Sequence, residues 1–147
     1  MLTEEKFKAT LKYKGLKTTA QRLAVHEAMM ALGHAEADKI SAFVKAKGEV
    51  RVSSATIYNI LKELTDAGIY RCCMSEDNKK YFDVNNKWHI HLYDRVNCEF
   101  KDIQDEELRL AIEQYCRNKR FRGYRIDEIN ISFVCKPARK KKPNHTI

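Results

Sequence analysis

The sequence predicts an α+β protein in two parts, an N-terminal winged helix-turn-helix domain and a small C-terminal α/β domain. Two observations carry this. Between residues 3 and 68, apolar side chains recur at helical spacing in four blocks, and each block is closed by a glycine. Beyond residue 68 the pattern shortens into strand-like runs with one further helical block among them. The domains are expected at residues 1–82 and 88–136, with a polar hinge "DVNNK" at 83–87 and a basic tail at 137–147. A hydrophobic content of 44% over 147 residues is enough for real cores. No internal repeat is visible.

The first block, "TEEKFKATLKYKGLK", has Thr3 and acids at its start, bases at its end, and Phe7 and Leu11 on one face, so it predicts a capped amphipathic helix ending near Gly15. "TTAQRLAVHEAMMALG" starts at Thr18 or Thr19, carries Leu23, Val25, Ala28, Met29 and Leu32 as its apolar stripe, and stops at Gly33. His26, inside this helix, is expected at its surface or boundary. A third helix follows in "HAEADKISAFVKAKG", with Ala37, Ile40, Phe43 and Val44 inward and Gly48 as its stop. In "VSSATIYNILKELTDAGIY", Ser53 is the N-cap, Ile57, Ile60, Leu61 and Leu64 form the apolar face, and Gly68 ends the helix. "IYRCCMSEDNKKYFDV" then reads as a β-hairpin around "EDN". Three helices followed by such a hairpin describe a winged helix-turn-helix whose fourth segment enters the major groove.

Past the hinge the expected elements are a strand "WHIHLYD", a strand "NCEFKDI", a helix "DEELRLAIEQYCRNK" and a long strand "YRIDEINISFVC" with Ile126, Ile129, Ile131 and Phe133 among its apolar positions. Trp88 and Tyr93 are expected to pack around the first of these strands. The tail "CKPARKKKPN" is basic and, with His145, is expected to be solvated, nonspecific DNA contact being the alternative.

Composition narrows the function classes. A net charge of +8 favours an anionic partner, nucleic acid first, although charge alone is weak support. The five cysteines, odd in number and without a Cys-x-x-Cys pair, suit free thiols in a reducing compartment. With no apolar run long enough to span a bilayer and a charged start, the chain is expected to be cytoplasmic, with no membrane partner. Adjacent Cys72 and Cys73 could be read as a thiol sensor, but a vicinal disulfide is strained and only Arg71 is at hand to lower a thiol pKa.

A helix that reads DNA needs short polar side chains near its N-terminus and hydrogen-bonding groups on its outer face. Ser53, Ser54, Thr56, Tyr58 and Asn59 meet that need opposite the apolar face, and Lys17, Arg22, Arg51 and Lys62 are placed to hold phosphates. The plainer alternative is an ordinary capped surface helix.

In a strand, residues two apart share a face, so His89 and His91 can share one ion. A lone His-x-His pair is weak support, since many are simply exposed strand positions. It gains weight beside Asp83 in the hinge, Asp102 at the end of the next strand and His34 at the mouth of the third helix. Three imidazoles and two carboxylates suit a borderline divalent ion such as Fe2+, Mn2+ or Zn2+.

Together, "GLKTTAQR", "HAEADKI", "VSSATIYNILKELTDAGI", "KKYFDVNNKWHIHLYD" and "FKDI" resemble the ferric uptake regulator family of bacterial metal-dependent repressors, from about Leu16 to Cys135. The resemblance implies a C-terminal dimerisation domain, a homodimer on double-stranded palindromic operator DNA, and a recognition helix in which Tyr58 and Asn59 contact bases. It implies one regulatory ion per subunit held by His34, Asp83, His89, His91 and Asp102. An aspartate at the last position is closer to the peroxide-sensing branch, in which iron-catalysed oxidation would fall on His34 or His89. The family's four structural-zinc thiols match Asp94, Asn97, Cys135 and Ala138 here, so no structural zinc held by four cysteines is expected. Ala20 stands where the family usually has proline, so the second helix is expected to start without that pre-set residue.

The resulting expectation is a metal-dependent, peroxide-sensing repressor without enzymatic activity or a small-molecule substrate. The alternatives are an iron-, manganese- or zinc-responsive repressor blind to peroxide, and, from another class, a non-haem metalloenzyme.

Overall fold

The computed structural model describes residues 2–138; the expected basic tail lies outside the described residues from Arg139 onward. The chain forms two compact units, one up to Lys87 and one from Trp88.

The first unit begins with α1 (Glu4–Tyr13), capped by the Thr3 hydroxyl, which accepts the Lys6 N–H at 3.4 Å. Its Phe7 and Leu11 are fully buried. In α2 (Ala20–Leu32), Thr19 is the cap and accepts the Arg22 N–H at 3.2 Å, so Ala20 starts the helix without a proline's help. Gly33 closes it at φ 71°, a backbone region glycine enters without a Cβ clash. Two expectations for α2 need correction. Leu32 lies at the helix end and is 37% exposed, whereas His26 is 2% exposed. The His26 ring stacks on Phe7 at 3.9 Å, its Nδ1 pairs with the Tyr70 hydroxyl at 2.8 Å and its Nε2 with the Leu2 carbonyl at 2.8 Å. Burial is tolerated because both ring nitrogens are satisfied.

A two-residue strand β1 (His34–Ala35) follows, then α3 (Ala37–Lys47) and α4 (Ser54–Asp66). Ser53 caps α4 by accepting the Thr56 N–H at 3.1 Å. The hairpin strands β2 (Arg71–Met74) and β3 (Lys80–Asp83) are joined by a tight turn in which the Ser75 N–H donates to the Lys79 carbonyl at 2.9 Å. The sheet order is β1-β3-β2, antiparallel throughout, with His34 and Arg71 both opposite Asp83. The strand β1 was not expected: two residues are too few for alternation to show in a sequence. Ile57, Leu61 and Leu64 of α4 are fully buried against Val25, Met29 and Ile40. Each such side chain contributes roughly 1.5–3 kcal/mol on leaving water.

The second unit contains β4 (Ile90–Asp94), β5 (Glu99–Ile103), α5 (Glu106–Asn118) and β6 (Ser132–Cys135), with sheet order β5-β4-β6. The strands β4 and β5 are antiparallel, and β6 runs parallel to β4. The last strand is much shorter than expected, beginning at Ser132 with only the Ile131 carbonyl before it accepting the His91 N–H at 3.0 Å, and Ile126 is 40% exposed. His89 lies just before β4 rather than within it. The helix α5 is capped by Asp105, which accepts the Leu108 N–H at 2.9 Å, but buries no side chain. Leu110, Tyr115, Phe133 and Val134 are all about half exposed.

Candidate functional site

The metal-ligand candidates form a pair in the first unit and a triad in the second. His34 and Asp83 are direct partners in the β1/β3 register, and the His34 Nε2 stands 3.4 Å from the Asp83 Oδ2. Asp83 is 1% exposed, and its Oδ1 accepts the Asn85 N–H at 2.8 Å, which fixes the carboxylate as the chain leaves the sheet. A buried carboxylate needs such partners.

In the second unit the β4/β5 register puts His91 opposite Asp102. The Nε2 atoms of His89 and His91 converge to 2.8 Å, with the rings edge-to-face at 4.4 Å. The Asp102 Oδ1 lies 3.3 Å from the first and 3.9 Å from the second. Both imidazoles are buried, at 4% and 7% exposure. Two buried imidazole nitrogens aimed at each other beside a carboxylate are a donor set for a cation. Ligand atoms around an ion with bonds of about 2.0–2.1 Å to nitrogen stand about 3 Å apart. The residues present fit a borderline divalent ion, which neutral nitrogen and carboxylate oxygen both suit.

The helix α4 presents the DNA candidates. Tyr58 is 46% exposed, and Asn59, Lys62, Arg51 and Lys17 are also at the surface of this unit. Thr56 is half-buried, its hydroxyl 2.9 Å from that of Ser53. Ser54 and Arg22 are engaged otherwise. The Ser54 hydroxyl lies 3.0 Å from that of Ser41 and accepts from the Lys45 Nζ at 2.8 Å, tying α4 to α3. The Arg22 guanidinium donates to the Glu63 Oε2 at 2.6 Å and to the Lys17 carbonyl. A cavity of about 520 Å³ opens beside the start of α4, lined by Gln21, Lys45, Arg51 and Ser53 among others. Sequence reasoning passed over Lys45 and Glu63. An acid four residues beyond Asn59, on a helix expected to face phosphates, was the available signal for Glu63.

Cys72 and Cys73 are adjacent in β2, where neighbouring side chains point to opposite faces.

The model of the ferric uptake regulator family matches residues 13–133 of the chain. The chain belongs to the ferric uptake regulator family. Ferric uptake regulator family members are metal-responsive, dimeric, DNA-binding transcription regulators rather than enzymes. Their folds, an N-terminal DNA-binding domain and a C-terminal dimerisation domain, match this α+β architecture. The ferric uptake regulator of Vibrio cholerae is similar at 22% identity and TM-score 0.72, covering 89% of this chain and 99% of that one. The ferric uptake regulator of Pseudomonas aeruginosa, solved with manganese, is similar at 20% identity and TM-score 0.71, covering 91% and 97%. The Campylobacter jejuni peroxide stress regulator is similar at 18% identity and TM-score 0.66, covering 96% and 100%. No curated protein sequence matches the chain. Among the described residues no helix is long and apolar enough to cross a membrane.

Proposed function

We propose that this chain is a cytoplasmic, metal-dependent repressor that binds palindromic operator DNA as a homodimer and is switched by one divalent ion per subunit, Fe2+ or Mn2+, with Zn2+ as a further option. The observation that carries the reading is the convergence of His89, His91 and Asp102 on a point where their donor atoms lie 2.8–3.9 Å apart. His34 and Asp83 make a matching pair on the sheet of the DNA-binding unit, and the family resemblance supports their joining the same ion.

One ion held by donors of both units, as the family resemblance implies, would link metal occupancy to the placement of α4. Moving an equilibrium from 1:99 to 99:1 takes about 5.5 kcal/mol of differential affinity, well within the range of transition-metal sites. Half-exposed Leu110, Tyr115, Phe133 and Val134 support dimerisation through the second unit. On the DNA side, Lys17, Arg51 and Lys62 would hold phosphates, and Ser53, Thr56, Tyr58 and Asn59 would face the bases.

The finer reading is peroxide sensing. A bound Fe2+ supplies one-electron reactivity toward peroxide, which would oxidise the imidazole of His34 or His89. Loss of either donor would then loosen the hold on the ion and release the operator. Structural zinc is not part of the proposal. Of the four matching positions, Asp94 and Asn97 bond to each other, the Asn97 Nδ2 donating to the Asp94 Oδ2 at 2.7 Å.

The test is an anaerobic titration of a palindromic, A·T-rich operator with apo, Mn2+ and Fe2+ protein, before and after a peroxide pulse. Metal-dependent binding that peroxide abolishes only in the iron form supports the whole proposal. Binding that survives peroxide in both metal forms leaves a plain metal-responsive repressor, and binding indifferent to metal overturns the switch.

A further inference from the structure

Arg22 carries a cation on the helix-turn-helix unit, which at first sight recommends it as a phosphate contact. Its surroundings argue otherwise. The side chain is 14% exposed, and its guanidinium spans two partners. One arm, Nη2, donates to the Glu63 Oε2 of α4 at 2.6 Å, and the other, Nη1, donates to the Lys17 carbonyl in the connection between α1 and α2. Its backbone N–H is taken by the Thr19 cap. A single planar fork therefore joins the α1–α2 connection, α2 and α4, an arrangement that a point-like ammonium cannot reproduce.

Glu63 is one helical turn beyond Asn59 and two beyond Thr56, so all three share the polar side of α4. At the other end of the same helix, Ser54 is tied back to Ser41 and Lys45 of α3. The apolar stripe of Ile57, Leu61 and Leu64 sets which face of α4 is inward. Non-directional packing leaves axial rotation and sliding loosely specified, whereas charge-assisted hydrogen bonds are geometrically exacting.

We propose that Arg22 and Glu63 form a positioning pair that sets the rotation and depth of α4, so that Arg22 acts on DNA through Glu63 and not through a phosphate. The inference rests on the reading of α4 as the DNA-binding helix. It also gives Glu63 a purpose, since an unneutralised carboxylate on that face would repel the duplex. Glu63 then contributes to affinity although its charge has the wrong sign for DNA.

The experiment measures operator affinity of the metal-loaded full chain against salt concentration, together with the ratio of operator to scrambled-DNA affinity. The variants are Arg22→Ala, Arg22→Lys, Glu63→Gln and the swap Arg22→Glu/Glu63→Arg, with circular dichroism confirming each fold. Arg22→Ala and Glu63→Gln are both expected to lose about ten- to a hundredfold in operator affinity, the scale of one charge-assisted bond. They are also expected to lose operator preference, with a change in the slope of log affinity on log salt smaller than the loss of a phosphate contact gives. Arg22→Lys should restore only part of the affinity, and the swap more than either of its single changes.

A direct phosphate contact predicts the opposite. Arg22→Ala would then flatten the salt slope by about 0.9, Arg22→Lys would bind almost normally, and Glu63→Gln would bind tighter. Those results overturn the pairing, with or without a folded swap variant. Wild-type protein that ignores the operator altogether instead overturns the reading of α4.

Discussion

His91 and Asp102 face each other across the antiparallel pairing of β4 with β5, and the imidazole Nε2 stands 3.9 Å from the carboxylate Oδ1. The strand register itself delivers the carboxylate to the histidine pair. Asp102→Ala is therefore expected to lower Mn2+ affinity by at least about tenfold without changing helix content, since partners of metal-binding imidazoles are worth roughly ten- to a hundredfold. Isothermal titration calorimetry on both proteins reads this directly. Unchanged Mn2+ binding would move the ion elsewhere.

The exposed side of α4 separates two kinds of DNA contact. Asn59→Ala should cost about 1–3 kcal/mol on the cognate operator and relax the base preference at one position. Lys62→Ala should weaken all sequences alike and reduce the salt slope by about 0.9. Fluorescence anisotropy with operator and single-base variants distinguishes the two signatures. Equal losses on every sequence for Asn59→Ala would remove it from base reading.

Burial holds the His26 pKa below its ordinary value, with the Leu2 carbonyl and Glu4 opposing that shift. The folded state therefore binds the proton less well than the unfolded chain does. Stability from the neutral ring is complete above the unfolded value near 6.5 and declines as pH falls below it, toward the depressed folded value. Urea melts of the apo protein followed by helical ellipticity should show this decline, and His26→Gln should flatten it. Tyr70→Phe leaves the His26 Nδ1 buried without its hydroxyl partner and should cost about 1–3 kcal/mol at neutral pH. A Tyr70→Phe protein as stable as wild type would remove the hydrogen bond from the account.

Asp94 closes the β4–β5 connection with hydrogen bonds from the residues that follow it. Its Oδ1 accepts the N–H groups of Val96 at 2.9 Å and Asn97 at 3.2 Å, and the bond from the Asn97 side chain is the main cause of its lowered pKa. Asp94→Ala is expected to lower the urea midpoint of the second unit, whereas Asp94→Asn, which keeps an acceptor, should lower it less. Zinc analysis of the purified protein completes the test. A tightly held zinc per chain, resistant to regulatory-site substitutions, would restore the structural metal.

Much of the first unit is written locally. The caps Thr3, Thr19 and Ser53 and the apolar stripes of α1, α3 and α4 are signals carried by residues within one or two turns of each other. The wing hairpin is legible for the same reason, its turn residues lying between two short runs. His26 misled because an imidazole among Ala, Val and Met reads as a boundary position. What makes its burial tolerable is Tyr70, 44 residues further on. The last strand misled in the other direction: recurring isoleucines suggest a strand, but a strand exists only where a neighbour pairs with it.

The amino-acid sequence by itself determined the helices, their ends, the wing and the presence of a histidine pair backed by carboxylates. Tertiary structure decided the rest. It made β1 out of His34 and Ala35 by giving them β3 to pair with, and it brought Asp102 across from His91 through strand register. It also turned Arg22 toward Glu63, 41 residues away. The physical reason is one of range: helix periodicity and capping are energies between near neighbours, whereas register, buried polar pairing and ion pairs depend on which distant segments the fold places side by side.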